Sequence, residues 1–116
     1  MILFLDDNPA RHKAMIGPRI IHCYTIDDFL QALNEYDSFQ TISLDYDLND
    51  FDTVALYNGT EATGLDACGL LVNQKYRSKL PQQIIVHSAN PTGSLKMVEF
   101  LRRYGIKAVR QIFPVV

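Results

Sequence analysis

The sequence predicts an α/β fold, a parallel sheet with helices packed on both faces, and three observations carry that prediction. Short apolar runs of strand length alternate with longer segments whose apolar residues recur at helical spacing. Asn-Pro, Gly-Pro and Thr-x-x-Asp fall at the junctions, where turns and helix caps belong. Polar groups close three of the apolar runs: Asp6 and Asp7 follow ILFL, Asp45 and Asp47 follow TISL, and His87 follows IIV. The carboxyl ends of strands in an open parallel sheet form its ligand crevice, so groups at strand exits converge even when they are far apart in the chain.

Each element has its own signal. Ile2 to Leu5 reads as the first buried strand, and Asn8-Pro9 as the cap and first turn of a helix through about Ile16, which Gly17-Pro18 ends. Arg19 to Tyr24 is the second strand. Thr25 and Asp28 make a capping-box start to a helix with Ile26, Phe29, Leu30 and Leu33 on its apolar face. Thr41 to Leu44 is the third strand. The acidic stretch from Leu48 to about Thr63, broken by Asn58-Gly59, is long for a strand-to-helix connection and reads as a lid over a strand exit, with Asp50 and Asp52 as its solvated residues. A helix from Thr63 to about Leu80 follows, with Asp66 three residues after the Thr63 cap, Leu65, Cys68, Leu71 and Val72 on one face, and Pro81 closing it. Gln83 to Val86 is the fourth strand and Asn90-Pro91 opens a turn. Leu95, Val98, Phe100 and Leu101 mark a last helix ended by Gly105, and Lys107 to Ile112 is the fifth strand. Right-handed crossovers would put helices on both sides of the sheet.

The 116 residues make one domain, 1–116, and 47% apolar residues suffice for one buried sheet. No apolar run approaches the roughly 20 residues of a membrane span, and the N-terminus lacks a signal peptide's basic start, so a cytoplasmic protein with no membrane partner is expected. Cys23 and Cys68 have neither metal-type nor disulfide-framework spacing and read as small core residues. Charge is unevenly placed. No Lys or Arg lies between Arg19 and Lys75, whereas the bases from Lys75 to Arg110 face only Glu99, an asymmetry that steers an anionic partner toward an acidic site. Locally, Lys75 to Lys79 and Arg102-Arg103 sit near helix C-termini, where cations complement the helix dipole without any ligand.

Carboxylates gathered in one crevice raise one another's pKa unless a cation sits among them. Asp6, Asp7, Asp45 and Asp47 therefore point to a hard divalent metal, magnesium by default or manganese. Asp47 offers either its carboxylate or, as a turn former, its backbone carbonyl. The plain rivals are an Asp-Asp pair that only caps the first helix and a His87 that is only structural. No Gly-rich phosphate loop follows any strand, which disfavours dinucleotide and Walker-type nucleotide binding. LDYDLN is similar to the nucleophile motif of haloacid-dehalogenase-type phosphatases, but there it belongs on the first strand. Asn58-Gly59-Thr60 is a formal glycosylation triplet of no use in the cytosol.

An Asp-Asp pair after strand one, an Asp after strand three and a small hydroxyl residue after strand four resemble the receiver domain of two-component signalling, at Asp6, Asp7, Asp45 and Ser88. The receiver's Lys at the end of strand five is missing: Ile112 aligns there, with Arg110 two residues earlier. The segments LFLDDNPAR, ISLDYDL, TGLDACGLL and VHSANPTG are more closely similar to the cyclic-phosphate-processing receiver-like family, over nearly the whole chain. Two positions depart from that family's pattern. Tyr46 stands for its usual His between the strand-three acids, and Asn49 for the usual Gly after Asp-Leu.

The resemblance implies a receiver-like, flavodoxin-type three-layer fold with a five-stranded parallel sheet in the order 2-1-3-4-5, without the last helix. It also implies metal-dependent hydrolysis of cyclic phosphates, with a phosphorylated small molecule, a cyclic nucleotide or an RNA end as partner and no sequence-specific DNA binding. In that reading Asp7 and Asp45 hold the metal with Asp6 through water, Asp45 and His87 are catalytic, His87 as the acid for the leaving oxygen, and Ser88, Asn90 and Arg11 contact phosphate. The alternative is a non-catalytic or phospho-accepting signalling module with Asp45 as the phosphoacceptor. No aromatic stacking motif for a base is evident.

Overall fold

The computed structural model describes residues 1–50 and 61–113. In chain order it contains β1 (Ile2–Leu5), α1 (Pro9–Ala14), β2 (Ile20–Cys23), α2 (Ile26–Glu35), β3 (Thr41–Leu44), β4 (Asp47–Asp50), β5 (Ala62–Thr63), α3 (Gly64–Leu71), a 3₁₀ helix (Gln74–Lys79), β6 (Ile84–Val86), α4 (Pro91–Arg103) and β7 (Ala108–Arg110). The main sheet runs β2-β1-β3-β6-β7 with every pair parallel, which is the predicted 2-1-3-4-5 order with β6 and β7 as the fourth and fifth strands. Among the described residues no helix follows β7.

The register builds the site. Leu5 lies opposite Leu44, Leu44 opposite Val86, and Val86 opposite Arg110, so Asp6, Asp45 and His87 leave adjacent strands at one level. The chain reverses its direction of winding between β1 and β3, and that switch point is where ligands collect in such sheets. Alternation along the strands sends Leu3, Leu5, Ile42, Leu44, Ile84 and Val86 into one core beneath α2, α3 and α4. Fully burying an aliphatic side chain of this kind stabilises by about 1.5–3 kcal/mol. Phe4 and Ile85 point to the opposite face, where Met15 at the end of α1 and the half-buried Phe113 cover them. Among the described residues α-helices thus lie on both faces, α2, α3 and α4 on one and the short α1 on the other.

Both capping boxes form, Thr25 with Asp28 and Thr63 with Asp66. Asn8 and Asn90 cap α1 and α4 with Pro next in line, so Asn90-Pro91 opens a helix rather than a free turn. Gly105, at φ 79°, ends α4 in a Schellman turn in which the Ile106 N–H reaches the Leu101 carbonyl at 3.0 Å. Cys23 and Cys68 are buried, as expected, and burial pushes both thiols up, Cys23 to about 12.

Three expectations need correction. The helix predicted from Thr63 to Leu80 is two, because α3 stops at Leu71 and Asn73 caps a separate 3₁₀ helix through the Lys75 N–H. The start of the predicted lid is instead β4, paired antiparallel with β5 through Asp47–Thr63 and Asp50–Ala62. Asp50 is no solvated residue: it is 3% exposed, and its carboxylate accepts the Ile26 N–H at the positive end of α2. The rest of the predicted lid, with Asp52 and Asn58-Gly59, lies outside the described residues. No helix among the described residues is long and apolar enough to cross a membrane.

Candidate active site

Asp6 is fully buried, and every atom it offers is engaged. Its Oδ1 accepts the Asn8 N–H at 2.8 Å, and its Oδ2 accepts from Arg11 Nη1 at 3.2 Å and His87 Nε2 at 2.8 Å. Its carbonyl lies 2.6 Å from His12 Nε2. Asp45, 3% exposed, has Oδ1 on its neighbour's Tyr46 N–H and Oδ2 3.4 Å from the same Arg11 nitrogen. Asp7 is half-buried, with Oδ2 held by Asn49 Nδ2 at 2.6 Å. One carboxylate oxygen from each of Asp6, Asp7 and Asp45 lies within 4.8 Å of the others.

The two buried carboxylates are driven apart electrostatically. Burial pushes Asp6 up, but the His87 and Asn8 hydrogen bonds, the His87 charge and Arg11 outweigh it and hold Asp6 below the usual carboxylate range. Asp45 goes the other way, pushed up to about 6 by burial and by the Asp6 charge, against hydrogen bonds from Ser88 and the Tyr46 N–H. Burial lowers Arg11, yet its bond to Asp6 and the charges of Asp6, Asp45 and Asp7 leave it raised.

His87 sits beneath this cluster. Its side chain has no exposure, its ring stacks on Phe4 at 4.8 Å, and its Nδ1 lies 2.6 Å from Ser43 Oγ. A carboxylate only accepts, so Nε2 carries the proton it gives to Asp6; Nδ1 accepts from the Ser43 hydroxyl in the neutral ring and donates to it in the charged one. The predicted acid role needs a ring nitrogen free to face substrate; His87 lines the cavity beside the cluster, but here Nε2 is taken by Asp6 and Nδ1 by Ser43.

The other predicted residues surround a cavity of 360 Å³ lined by Asp7, Arg11, Asp45, Asp47, Ser88 and Asn90, among others. Ser88 Oγ bonds Asp45 and accepts the Asn90 N–H at 3.1 Å. The Asn90 amide is already used, its oxygen on the Gly93 N–H and its nitrogen on Asp47 Oδ2 at 3.2 Å. Asp47 is exposed and stands apart from the carboxylate trio.

A profile of the cyclic-phosphate processing receiver domain matches residues 1–103. The chain belongs to the cyclic-phosphate processing receiver domain family. No curated protein and no solved structure matches it. In this receiver domain the blocks that carried the resemblance have local causes. A Cβ on Gly64 would lie 2.0 Å from the Asp45 carbonyl oxygen, and one on Gly93 would lie 2.4 Å from the Tyr46 ring. Tyr46, where the family carries His, is 7% exposed and packs into the core rather than the crevice. Asn49 replaces Gly at φ 50°, the left-handed region that Asn tolerates best after Gly, and its side chain then orients Asp7.

Sequence reasoning missed Asn49 as a contact to Asp7, Ser43 as the partner of His87, and His12 as the support of the Asp6 backbone. Asn49 had a signal, since Asn in place of Gly marks a positive φ. Ser43 had a weaker one, a lone polar residue inside an apolar strand.

Proposed function

We propose that this receiver domain is a metal-dependent phosphoesterase that opens cyclic phosphates, with a 2′,3′-cyclic phosphate on a nucleotide or RNA end as substrate. The observation that carries the reading is the carboxylate trio within 4.8 Å, of which Asp7 and Asp45 line a cavity that also presents Arg11 and Ser88. The donor set is oxygen alone, as magnesium and manganese prefer. Burial first and the Asp6 charge second push the Asp45 carboxyl up to about 6, and a bound cation would offset both.

Asp7 and Asp45 would hold the cation, with Asp6, whose oxygens already accept from Asn8, Arg11 and His87, reaching it through water. When bound, it supplies charge neutralisation at phosphorus and a water of lowered pKa. The residues of the chain do the rest. Arg11, 28% exposed at its side chain, offers donors to phosphate oxygens, and the Ser88 hydroxyl, on Asp45 here, would turn its one proton to phosphate once a cation takes Asp45. Asn49 fixes Asp7, and the Ser43–His87 chain fixes Asp6, which makes His87 a positioning residue. Asn90 and Asp47 brace the rim. In the reaction the water oxygen bonds phosphorus with one of its protons, one ring P–O bond breaks, and the second proton ends on the released sugar hydroxyl.

The test is a panel of 2′,3′-cyclic nucleotides, 3′,5′-cyclic nucleotides and RNA ending in a cyclic phosphate, each with and without magnesium or manganese. Metal-dependent opening of the 2′,3′ ring supports the reading, and intact substrates at high protein concentration overturn it. The Ser88 hydroxyl on Asp45 also suits a phosphoacceptor, the second reading. A stable phosphoryl adduct after incubation with acetyl phosphate, seen by intact mass and lost in Asp45→Asn, would select that one.

A further inference from the structure

We propose that the cavity between the exits of β6 and β7 binds the rest of the substrate, a nucleoside carrying a phosphate at its 5′ position, with Arg110 as the cation for that second anion. The proposal rests on the phosphoesterase reading for where the first phosphate lies.

The cavity measures about 440 Å³, within the range of roughly 300–1,000 Å³ typical of small-molecule sites. It shares Arg11, Ser88 and Ala89 with the carboxylate cavity, so the two are neighbours along one crevice. Its far wall is Arg110, Gln111, Ile112 and Phe113. Most of the basic C-terminal third is otherwise engaged or elsewhere. Arg77, Lys79 and Arg102 are tied to the carbonyls of Tyr104, Leu33 and Ala108. Arg110 makes no hydrogen bond or ion pair through its side chain among the described residues, and it lies level with Val86 at the strand exits.

The chemistry of the wall selects the ligand. Ile112 is 89% exposed, and the half-buried Phe113 ring leans on Phe4 and His87 at 6.0 and 6.1 Å. An inorganic phosphate or a small phosphoester needs no apolar wall, whereas a nucleoside presents a flat apolar base beside its anions. The unpaired guanidinium then meets a second phosphate, and its planar donors suit that partner. Residues 110–113 lie beyond the span matched by the family profile, so this wall is a property of the chain outside the matched span.

Calorimetric titration in magnesium with reaction products as stable probes tests the proposal: adenosine 3′,5′-bisphosphate, adenosine 3′-monophosphate and the dinucleotide ApAp. The bisphosphate should bind about tenfold tighter than the monophosphate, and Arg110→Ala should bring the two within roughly twofold while Arg110→Lys keeps part of the gap. Equal affinities in the wild type, or a gap that survives Arg110→Ala, overturn the proposal. ApAp binding as well as the bisphosphate identifies an RNA end as the source of the second phosphate, and weaker binding identifies a free nucleotide. The two claims fail separately. A bisphosphate preference without ring opening leaves the subsite and removes the phosphoesterase, whereas ring opening without the preference does the reverse.

Discussion

Asp6 is the residue on which the site turns, because an ionised carboxylate with no exposure is stable only when each oxygen has a donor. His87 provides one of those donors and Ser43 fixes the His87 ring. His87→Ala should therefore cost about 2–4 kcal/mol in urea unfolding, since it leaves a buried charge short of a partner and opens a cavity beside Phe4. His87→Gln, which restores a donor, should recover part of it. A His87 that was instead the acid facing substrate would give the opposite pattern, a sound fold with lost turnover in both variants. Asn49 separates backbone from side chain in the same way. At φ 50° an Ala is strained, so Asn49→Ala should lose about 1 kcal/mol or more, whereas Asn49→Gly should fold as well as the wild type but bind magnesium more weakly because Asp7 loses its brace. The trio and its neighbours were legible in the sequence as polar groups at strand exits. The partners of the His87 ring were not, because sequence places a residue at a strand end without saying which groups its ring nitrogens meet.

Among the elements, the turn from β5 into α3 carries the site into the helical layer. The Gly64 N–H donates to the Tyr46 carbonyl at 2.8 Å, and its missing Cβ lets the Asp45 carbonyl approach. Gly64→Ala should cost about 1–3 kcal/mol by overpacking and should weaken metal binding as well, because the shift falls on the Asp45 backbone; thermal melts with and without magnesium read both effects. Strands, caps and the Gly105 stop were readable since each rests on local chemistry. The β4–β5 ribbon was not. Asp47, Asn49 and Asp50 look like loop residues, and only pairing with Ala62 and Thr63, remote in the chain, makes a strand of them. Leu71 to Leu80 read as continuous helix for a related reason: periodicity persists across Val72 and Asn73, whereas the Asn73 cap is a single hydrogen bond.

For the molecule as a whole, the raised Asp45 carboxyl links the site to stability. A folded-state pKa of about 6 against an ordinary 3.8 means the native state binds more protons than the unfolded state in that interval, so without metal the Asp45 contribution to stability declines as pH rises from about 4 to about 6. Asp6, held below the usual range, acts with the opposite sign and at lower pH: its contribution is present above 3.8 and is lost on further acidification. Asp45→Asn should thus melt higher than the metal-free wild type at pH 7, by an amount on the order of 1–3 kcal/mol in stability, and the two should converge near pH 4. The fold order and the crevice were legible at this scale because alternation of strand and helix leaves few topologies, and the winding reversal between β1 and β3 then dictates where ligands gather.

The carboxylate trio as a divalent cation site is the claim that everything functional depends on, and titrating magnesium or manganese into the protein while following its melting temperature tests it most directly. The wild type should rise in a saturable way, gaining about 2.7 kcal/mol at a hundredfold excess over Kd, and Asp45→Asn should not rise at all. A folded wild type whose melting temperature stays flat through millimolar magnesium and manganese would contradict the account.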